Sequence, residues 1–201
     1  VVYPVRFGHT KVSARLYEMD ILAKDGRKNV LHLFDLEGVK EEMVEAGGIG
    51  FDPCDITRNL TLFLYPDDST REGKRLRIYQ QYFMCSCAAQ YILETHKKQG
   101  KHLRELSESV MIQINDTHPT LIIPELIRLL MREGLTMKEA IPIVSATCAY
   151  TNHTILAEAL ETWPLDDLKQ VVPQLTAMIE ALDAISVCRG DPIATHIIDE
   201  Q

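Results

Sequence analysis

The chain lacks any surplus of basic residues: 21 Lys and Arg face 29 Asp and Glu, for a net charge of −8. Binding to a phosphate backbone needs a positive surface, so nucleic acid is excluded as a partner. No run of 18 apolar residues occurs, which excludes a membrane-spanning helix. The opening Val1-Val2-Tyr3-Pro4-Val5-Arg6 lacks the layout of a signal peptide. The five cysteines (54, 85, 87, 148 and 188) are odd in number and without metal-ligand spacing. They predict a reduced, cytoplasmic protein with no metal, its cysteines acting as small hydrophobes. Cys85 and Cys87, two apart on a helix, point in different directions. There is no internal repeat and no low-complexity stretch. What remains, 46% hydrophobic and 25% charged over 201 residues, is ordinary for one large globular domain or a domain and a half.

Two segments stand out. Met-Ile-Gln-Ile-Asn-Asp-Thr-His-Pro-Thr (111–120) and Ala-Tyr-Thr-Asn-His-Thr (149–154) are apolar runs that break abruptly into Asn, Asp, Thr and His. Buried strands look like this when their carboxyl ends open into a ligand crevice, often against the start of the next helix. Two such endings, each with a histidine and a small hydroxyl residue, point to one polar pocket for a hydroxyl-rich ligand. Taken singly, each ending also reads as structural, with Asp116 or Thr117 capping a helix that starts near Pro119.

Along the chain, residues 11–24 alternate as a strand, Asp25-Gly26-Arg27 signals a hairpin turn, and 29–36 forms a returning strand. Residues 39–46 have a short helical pattern, and 47–58 reads as loop, with Pro53 breaking any strand. A polar loop over 65–73 precedes one long helix over 74–98, stopped by Gly100. A short buried strand over 110–114 leads to a helix over 121–133, stopped by Gly134. Thr136 with Glu139 forms a capping box for the next helix. The pattern then predicts a second buried strand over 144–149, a helical turn or two within 152–163, and a final helix from Pro164 to about Ile185. The fold class is α/β with a parallel strand pair, residues 1–50 being an antiparallel β addition to that sheet and 51–201 the α/β part of one structural domain.

The string Ile-Asn-Asp-Thr-His-Pro-Thr-Leu-Ile-Ile-Pro-Glu-Leu (114–126) resembles the α-glucan phosphorylases of glycogen, starch and maltodextrin. So does Ala-Tyr-Thr-Asn-His-Thr-Ile-Leu-Ala-Glu-Ala-Leu-Glu-Thr-Trp-Pro (149–164). Residues 64–83, from Leu-Tyr-Pro-Asp-Asp-Ser-Thr-Arg-Glu-Gly onward, are similar to that family's flexible active-site loop and its following helix. The three occur in the family's order and span about residues 60 to 175.

The resemblance implies a Rossmann-like N-terminal domain of the glycosyltransferase B type, and a parent that moves a glucosyl unit from a glucan end to phosphate, giving glucose 1-phosphate. It implies that His153 hydrogen-bonds a hydroxyl of the bound glucosyl residue and that Asp116 and His118 line the pocket beside it. The loop carrying Asp68 and Ser69 becomes a mobile gate, against its bare reading as a solvated connector. Thr154 joins the substrate-binding set. Arg77 is a pocket-edge candidate that also reads as a plain helix-surface arginine. Ser69-Thr70 replaces the Asn-Phe of animal enzymes, which removes an aromatic surface while leaving a hydroxyl. Ala157 stands where the family usually has Pro. Trp163 with Pro164 reads as a core anchor.

The family uses pyridoxal phosphate, attached to a lysine of a second domain that nothing here resembles. The glycine-rich loop over the cofactor phosphate has no counterpart either, Gly47-Gly48 being too isolated. The expectation is therefore an internal piece of the N-terminal domain, inactive alone and without cofactor, from a homodimeric cytoplasmic parent. The abrupt termini point the same way, and a face covered in the parent would let the piece self-associate. Two other readings stay open: a free-standing, non-catalytic glucan-binding or sensor module, and a degenerate homologue that scaffolds a dimer.

Overall fold

The computed structural model describes residues 1–37, 55–62, 66–156, 159–189 and 196–198. The helical pattern at 39–46 and the proposed loop at 47–54 fall outside them. At the start, β1 (Val2–Phe7), β2 (Thr10–Leu22) and β3 (Lys28–Leu36) form an antiparallel sheet in the order β1-β2-β3. Gly8, at φ 49°, makes the tight first turn, and Gly26, at φ 83°, makes the turn read at Asp25-Gly26-Arg27. Both conformations suit a residue without a Cβ. Alternation holds where the sheet meets the core: Tyr3, Val5, Phe7, Val12 and Ala14 are buried. It fails at the hairpin tip, where Tyr17, Met19, Ile21, Leu31 and Leu33 are exposed on one face.

This sheet is a separate one. Among the described residues it shares no strand pairing with the second sheet, a parallel pair of β4 (Ile112–Asn115) and β5 (Cys148–Thr151). What joins them is α2 (Arg71–Lys98), 28 residues long. Its Tyr79 and Tyr82 meet Phe7 edge-on at ring-centroid distances of 5.0 and 5.6 Å. The Tyr3 hydroxyl donates to Glu94 at 2.6 Å. On its other side α2 packs against α4 (Ile122–Arg132). A carboxylate with no exposed surface, Glu125, sits in that joint. It accepts from Tyr82 Oη (3.0 Å), Ser86 Oγ (2.7 Å), Arg128 Nε (2.7 Å) and Arg128 Nη2 (2.7 Å). A charge buried this deeply is tolerated because every lone-pair direction finds a donor. Near the end of α2, buried His96 bridges the carbonyl of His102, to which Nε2 donates (3.0 Å), and the hydroxyl of Ser109 (Nδ1, 3.3 Å). The short α3 (Leu106–Ser109) lies between this bridge and β4.

Helix punctuation follows the sequence closely in places. Gly100 (φ 74°) and Gly134 (φ 95°) close α2 and α4 in left-handed conformations. Thr136 Oγ1 accepts from the Glu139 N–H (3.3 Å) while Glu139 accepts from the Thr136 N–H (2.8 Å), the predicted capping box of α5 (Met137–Thr147). The Thr136 N–H, Arg104 and the Thr136 hydroxyl (2.8 Å), all donating to it, hold the Glu139 carboxyl down at about 2.

Elsewhere the expectation needs correction. Residues 144–147 belong to α5, because the capping box starts a helix that carries the apolar run along with it; β5 begins only at Cys148. The strands are not fully buried either: Ile114 is buried, but Met111 and Tyr150 are exposed. The stretch read as loop up to residue 58 contains a turn of helix, α1 (Ile56–Asn59), anchored by buried Ile56 and Leu60. The helical turns expected in 152–163 reduce, among the described residues, to one turn in which the Ala159 N–H donates to the Leu156 carbonyl (3.0 Å). The last helix is broken in two, α6 (Leu165–Val171) and α7 (Thr176–Arg189), joined by a 3-10 turn over Pro173–Leu175. Pro173 has no N–H to continue α6 and disfavours the helical conformation at Val172, which sits at φ −132° and ψ 56°.

No single described helix is long and apolar enough to cross a membrane. Cys85 and Cys87 are buried in α2, their thiols raised by desolvation, Cys85 to about 12.

Candidate active site

β4 and β5 run parallel and in register, Asn115 beside Thr151, so their carboxyl ends open side by side. Immediately beyond, the Asp116 N–H donates to the Thr151 carbonyl (2.9 Å), and Asp116 turns into the left-handed region at φ 63°. It is the only non-glycine residue with positive φ among those described. Asp is one of the few side chains that enter this region, and such strain concentrates at functional sites. The turn aims the Asp116 carboxylate back across the strand ends. Its Oδ1 accepts from the His153 N–H at 2.6 Å and from Thr154 Oγ1 at 3.2 Å. The His153 N–H holds this carboxyl below the usual carboxylate range; the Thr154 hydroxyl, His153 and His118 assist. Asn152 closes the neighbouring turn, its Oδ1 accepting from the Thr154 N–H (2.9 Å). His153 and His118 keep exposed side chains.

Asp116 and Thr117 therefore do not cap a helix. α4 begins at Ile122 with no side-chain cap. The Asp116 carboxylate is spent on holding the second strand ending against the first, and Thr117 Oγ1 accepts the N–H of Glu161 at 3.2 Å.

The second half of the site is the loop before α2. Asp67 Oδ1 accepts the Ser69 N–H (2.9 Å), and Thr70 caps the helix by accepting the Gly73 N–H (3.0 Å). The loop is folded so tightly on the first helical turn that a Cβ on Gly73 would stand 1.7 Å from the Asp67 carbonyl oxygen. Asp68 and Ser69 are exposed at its crest. Arg77, in the second turn of α2, is no plain surface arginine. It donates to Glu161 Oε1 through Nε (3.2 Å) and Nη2 (3.0 Å), with Nε 3.5 Å from Asp68 Oδ2. Gln81 donates to the same oxygen of Glu161 and accepts from Trp163 Nε1 (2.9 Å). Trp163 is thus half-buried and hydrogen-bonded as well as packed.

The seven residues expected at the site fall into two groups: Asp116, His118, His153 and Thr154 at the strand ends, and Asp68, Ser69 and Arg77 at the loop. Glu161 links them, through its backbone to the first and its side chain to the second. Sequence reasoning does not single out Glu161, Thr117 or Gln81 as site residues. No local signal marks Glu161; its partners are distant in sequence. Asp68, Lys74, Arg77, Glu161 and Trp163 line a cavity of about 600 Å³. A larger depression of about 890 Å³ lies between α4, α5 and α7, and neither cavity is lined by Asp116, His118, His153 or Thr154.

Beside this cavity Asp167 is nearly fully buried and accepts from Arg71 (3.2 Å) and Arg75 (2.7 Å). Burial opposes its ionisation, but the two guanidinium groups outweigh that and hold the carboxyl below its ordinary range. The start of α2 is thus fixed from two sides.

Among the described residues no group of three or more His, Cys, Asp or Glu is placed to hold a metal ion. Every described lysine is exposed, several paired to surface carboxylates such as Glu94 and Glu133. Lys74 lines the 600 Å³ cavity but is exposed like the others, so the described lysines do not fit a covalently held pyridoxal phosphate.

Asp116, His118, His153 and Thr154 stand at the carboxyl ends of two parallel strands, the place where open α/β sheets bind their ligands. The carbohydrate phosphorylase family model matches residues 5–190. The maltodextrin phosphorylase of Streptococcus pneumoniae is 50% identical over 98% of the chain, and the glycogen phosphorylase of Bacillus subtilis 39% identical over 87%. A wheat (Triticum aestivum) α-glucan phosphorylase, the H isozyme, is 37% identical over 91%. The chain belongs to the carbohydrate phosphorylase family. It spans about a quarter of the length of these relatives: 26%, 22% and 25%.

Proposed function

We propose that this chain forms one wall of the glucan cleft of an α-1,4-glucan phosphorylase that releases glucose 1-phosphate from a glucan end using inorganic phosphate. The observation that carries this reading is the hydrogen-bonded pairing of Asp116 with His153 and Thr154 across two parallel strand ends. The carboxylate fixes the His153 backbone and leaves the imidazole free to meet a sugar hydroxyl, for which it supplies both a donor and an acceptor. His118 and Asp116 offer further directional partners. A neutral sugar bears no charge to anchor it, so orientation must come from such hydrogen bonds. The loop with Asp68 and Ser69, tied through Arg77 to Glu161, acts as the gate of the site.

In the same reading the mixed α/β architecture is part of a Rossmann-like, glycosyltransferase B type domain, residues 1–50 and 51–201 belonging to one structural domain. The remainder of the parent supplies the lysine for pyridoxal phosphate, which brings the proton donor and acceptor of the reaction. The parent is a cytoplasmic homodimer that acts on glucan and phosphate. The 201-residue piece alone turns over nothing, because half a cleft does not enclose the reacting bond.

The test is to incubate the whole natural protein with maltodextrin and phosphate and assay glucose 1-phosphate. We expect product, and we expect His153→Ala to lower kcat/KM at least tenfold, about 1.4 kcal/mol of lost transition-state binding. Absence of product from the wild-type protein would overturn the reading, and turnover by the isolated piece would overturn the claim that it is inactive.

A further inference from the structure

Glu161 occupies an unusual place in the site. Its backbone N–H is bound to Thr117 Oγ1, next to the strained Asp116 turn, and its carboxylate receives Arg77 and Gln81. Arg77 is simultaneously the only described cation within 4 Å of Asp68, the carboxylate at the crest of the loop. Arg77 and Glu161 are about three-quarters and five-sixths buried respectively, whereas Asp68 is 57% exposed. An arginine held by a fork on a well-buried carboxylate is oriented, and its remaining attraction then fixes the exposed partner. Without Glu161 the guanidinium is free to swing toward water, and Asp68 loses its only described ion-pair partner.

We infer that Glu161 is a positioning residue that acts through Arg77 to hold the Asp68 loop beside the cavity these three residues line, and that, through its backbone bond to Thr117, it joins the two halves of the site into one unit. This rests on the proposed function only for its effect on turnover; the coupling itself is a property of this chain. The effect should be local: α2 is independently pinned here by the Asp167 carboxylate to Arg71 and Arg75, so removing the charge of Glu161 loosens the loop and leaves the helix in place. Glu161→Gln preserves the shape and one acceptor oxygen, and Arg77→Lys keeps a charge while losing the fork.

The experiment is amide hydrogen exchange on the whole natural protein, with maltodextrin phosphorolysis measured in parallel. The amide of Ser69, bonded within the loop, should exchange several-fold faster in E161Q and R77K, and no faster in the double variant than in either single one, while the Gly73 amide, held in the first turn of α2, should not change. The melting temperature should be unchanged, and kcat/KM for maltodextrin should fall several-fold through KM. Unaltered loop exchange in both single variants would overturn the inference, as would rate increases that multiply in the double variant. A lowered melting temperature with KM intact would also overturn it, since that marks a merely structural role. If the wild-type protein makes no glucose 1-phosphate, the functional reading falls, while the exchange pattern still decides the positioning role. If E161Q does not fold, R77K and its combination with Asp68→Asn decide by the same non-additivity.

Discussion

Replacing Glu125 with alanine should be among the most damaging single changes in the described structure, and its magnitude can be worked from four contacts. The carboxylate is wholly buried and accepts from Tyr82, Ser86 and both forks of Arg128. Truncation leaves a guanidinium with 19% side-chain exposure without its counter-charge. Breaking a buried pair by removing one partner costs roughly 3–5 kcal/mol. For a domain of this size each kcal/mol lowers the melting temperature by about 2–4 °C, so a fall of at least about 6 °C is expected. The partners matter unequally. Tyr82 and Ser86 keep the bonds they accept from Gln174 Nε2 (3.0 Å) and Gln90 Nε2 (3.2 Å), although their own O–H groups lose an acceptor. The stranded charge, and the larger cost, is Arg128. The double variant Glu125→Leu with Arg128→Leu should therefore recover most of the loss, since an apolar pair of similar volume often replaces a buried ion pair at little cost. Thermal unfolding followed by circular dichroism provides the assay. A loss below about 1 kcal/mol for Glu125→Ala would refute the reasoning, and a double variant no more stable than the single one would show that the uncompensated charge is not its source.

The remaining predictions concern the loop and the start of α2. Gly73→Ala cannot be accommodated, because the new Cβ must move from 1.7 Å to beyond 3.0 Å from a backbone oxygen; the loop should leave the helix, faster exchange at Ser69 should accompany a raised KM for maltodextrin, and unchanged values would show that the loop yields without consequence. The lowered carboxyl of Asp167 stabilises the fold above the unfolded carboxylate range, near pH 4, and that contribution disappears as pH falls through its lower folded value. Asp167→Asn should therefore flatten the decline in stability on acidification below about pH 4; an unchanged decline in acid denaturation curves would place its origin elsewhere.

Legibility in the sequence follows the range of the interactions. Gly26, Gly100, Gly134 and the Thr136–Glu139 box are readable because each acts within a few residues of itself, through a left-handed turn or a reciprocal cap. The strand endings are readable because a sharp change from apolar residues to Asn, Asp, Thr and His marks the point where a chain leaves the core for a polar crevice. Residues 144–147 read as strand because a short apolar run fits a buried strand and a buried helix equally; the capping box eight residues earlier holds the deciding information. Pro173 stands in plain view, yet the periodicity on either side of it is continuous enough to suggest one unbroken helix. Glu161 cannot be found from sequence at all. Its significance lies in Thr117, Arg77 and Gln81, which are 44, 84 and 80 residues away.

Between Arg75 and His96 in α2, Met84 is the only exposed residue. Most of the helix circumference is therefore covered, by β1, by α4 and by α6. A deep mutational scan should accordingly show no stripe of tolerant positions recurring every three or four residues across this stretch. Intolerance should form an almost continuous band with one gap at Met84, and tolerance should return only at Glu72, Lys74, Lys97 and Lys98 near the helix ends.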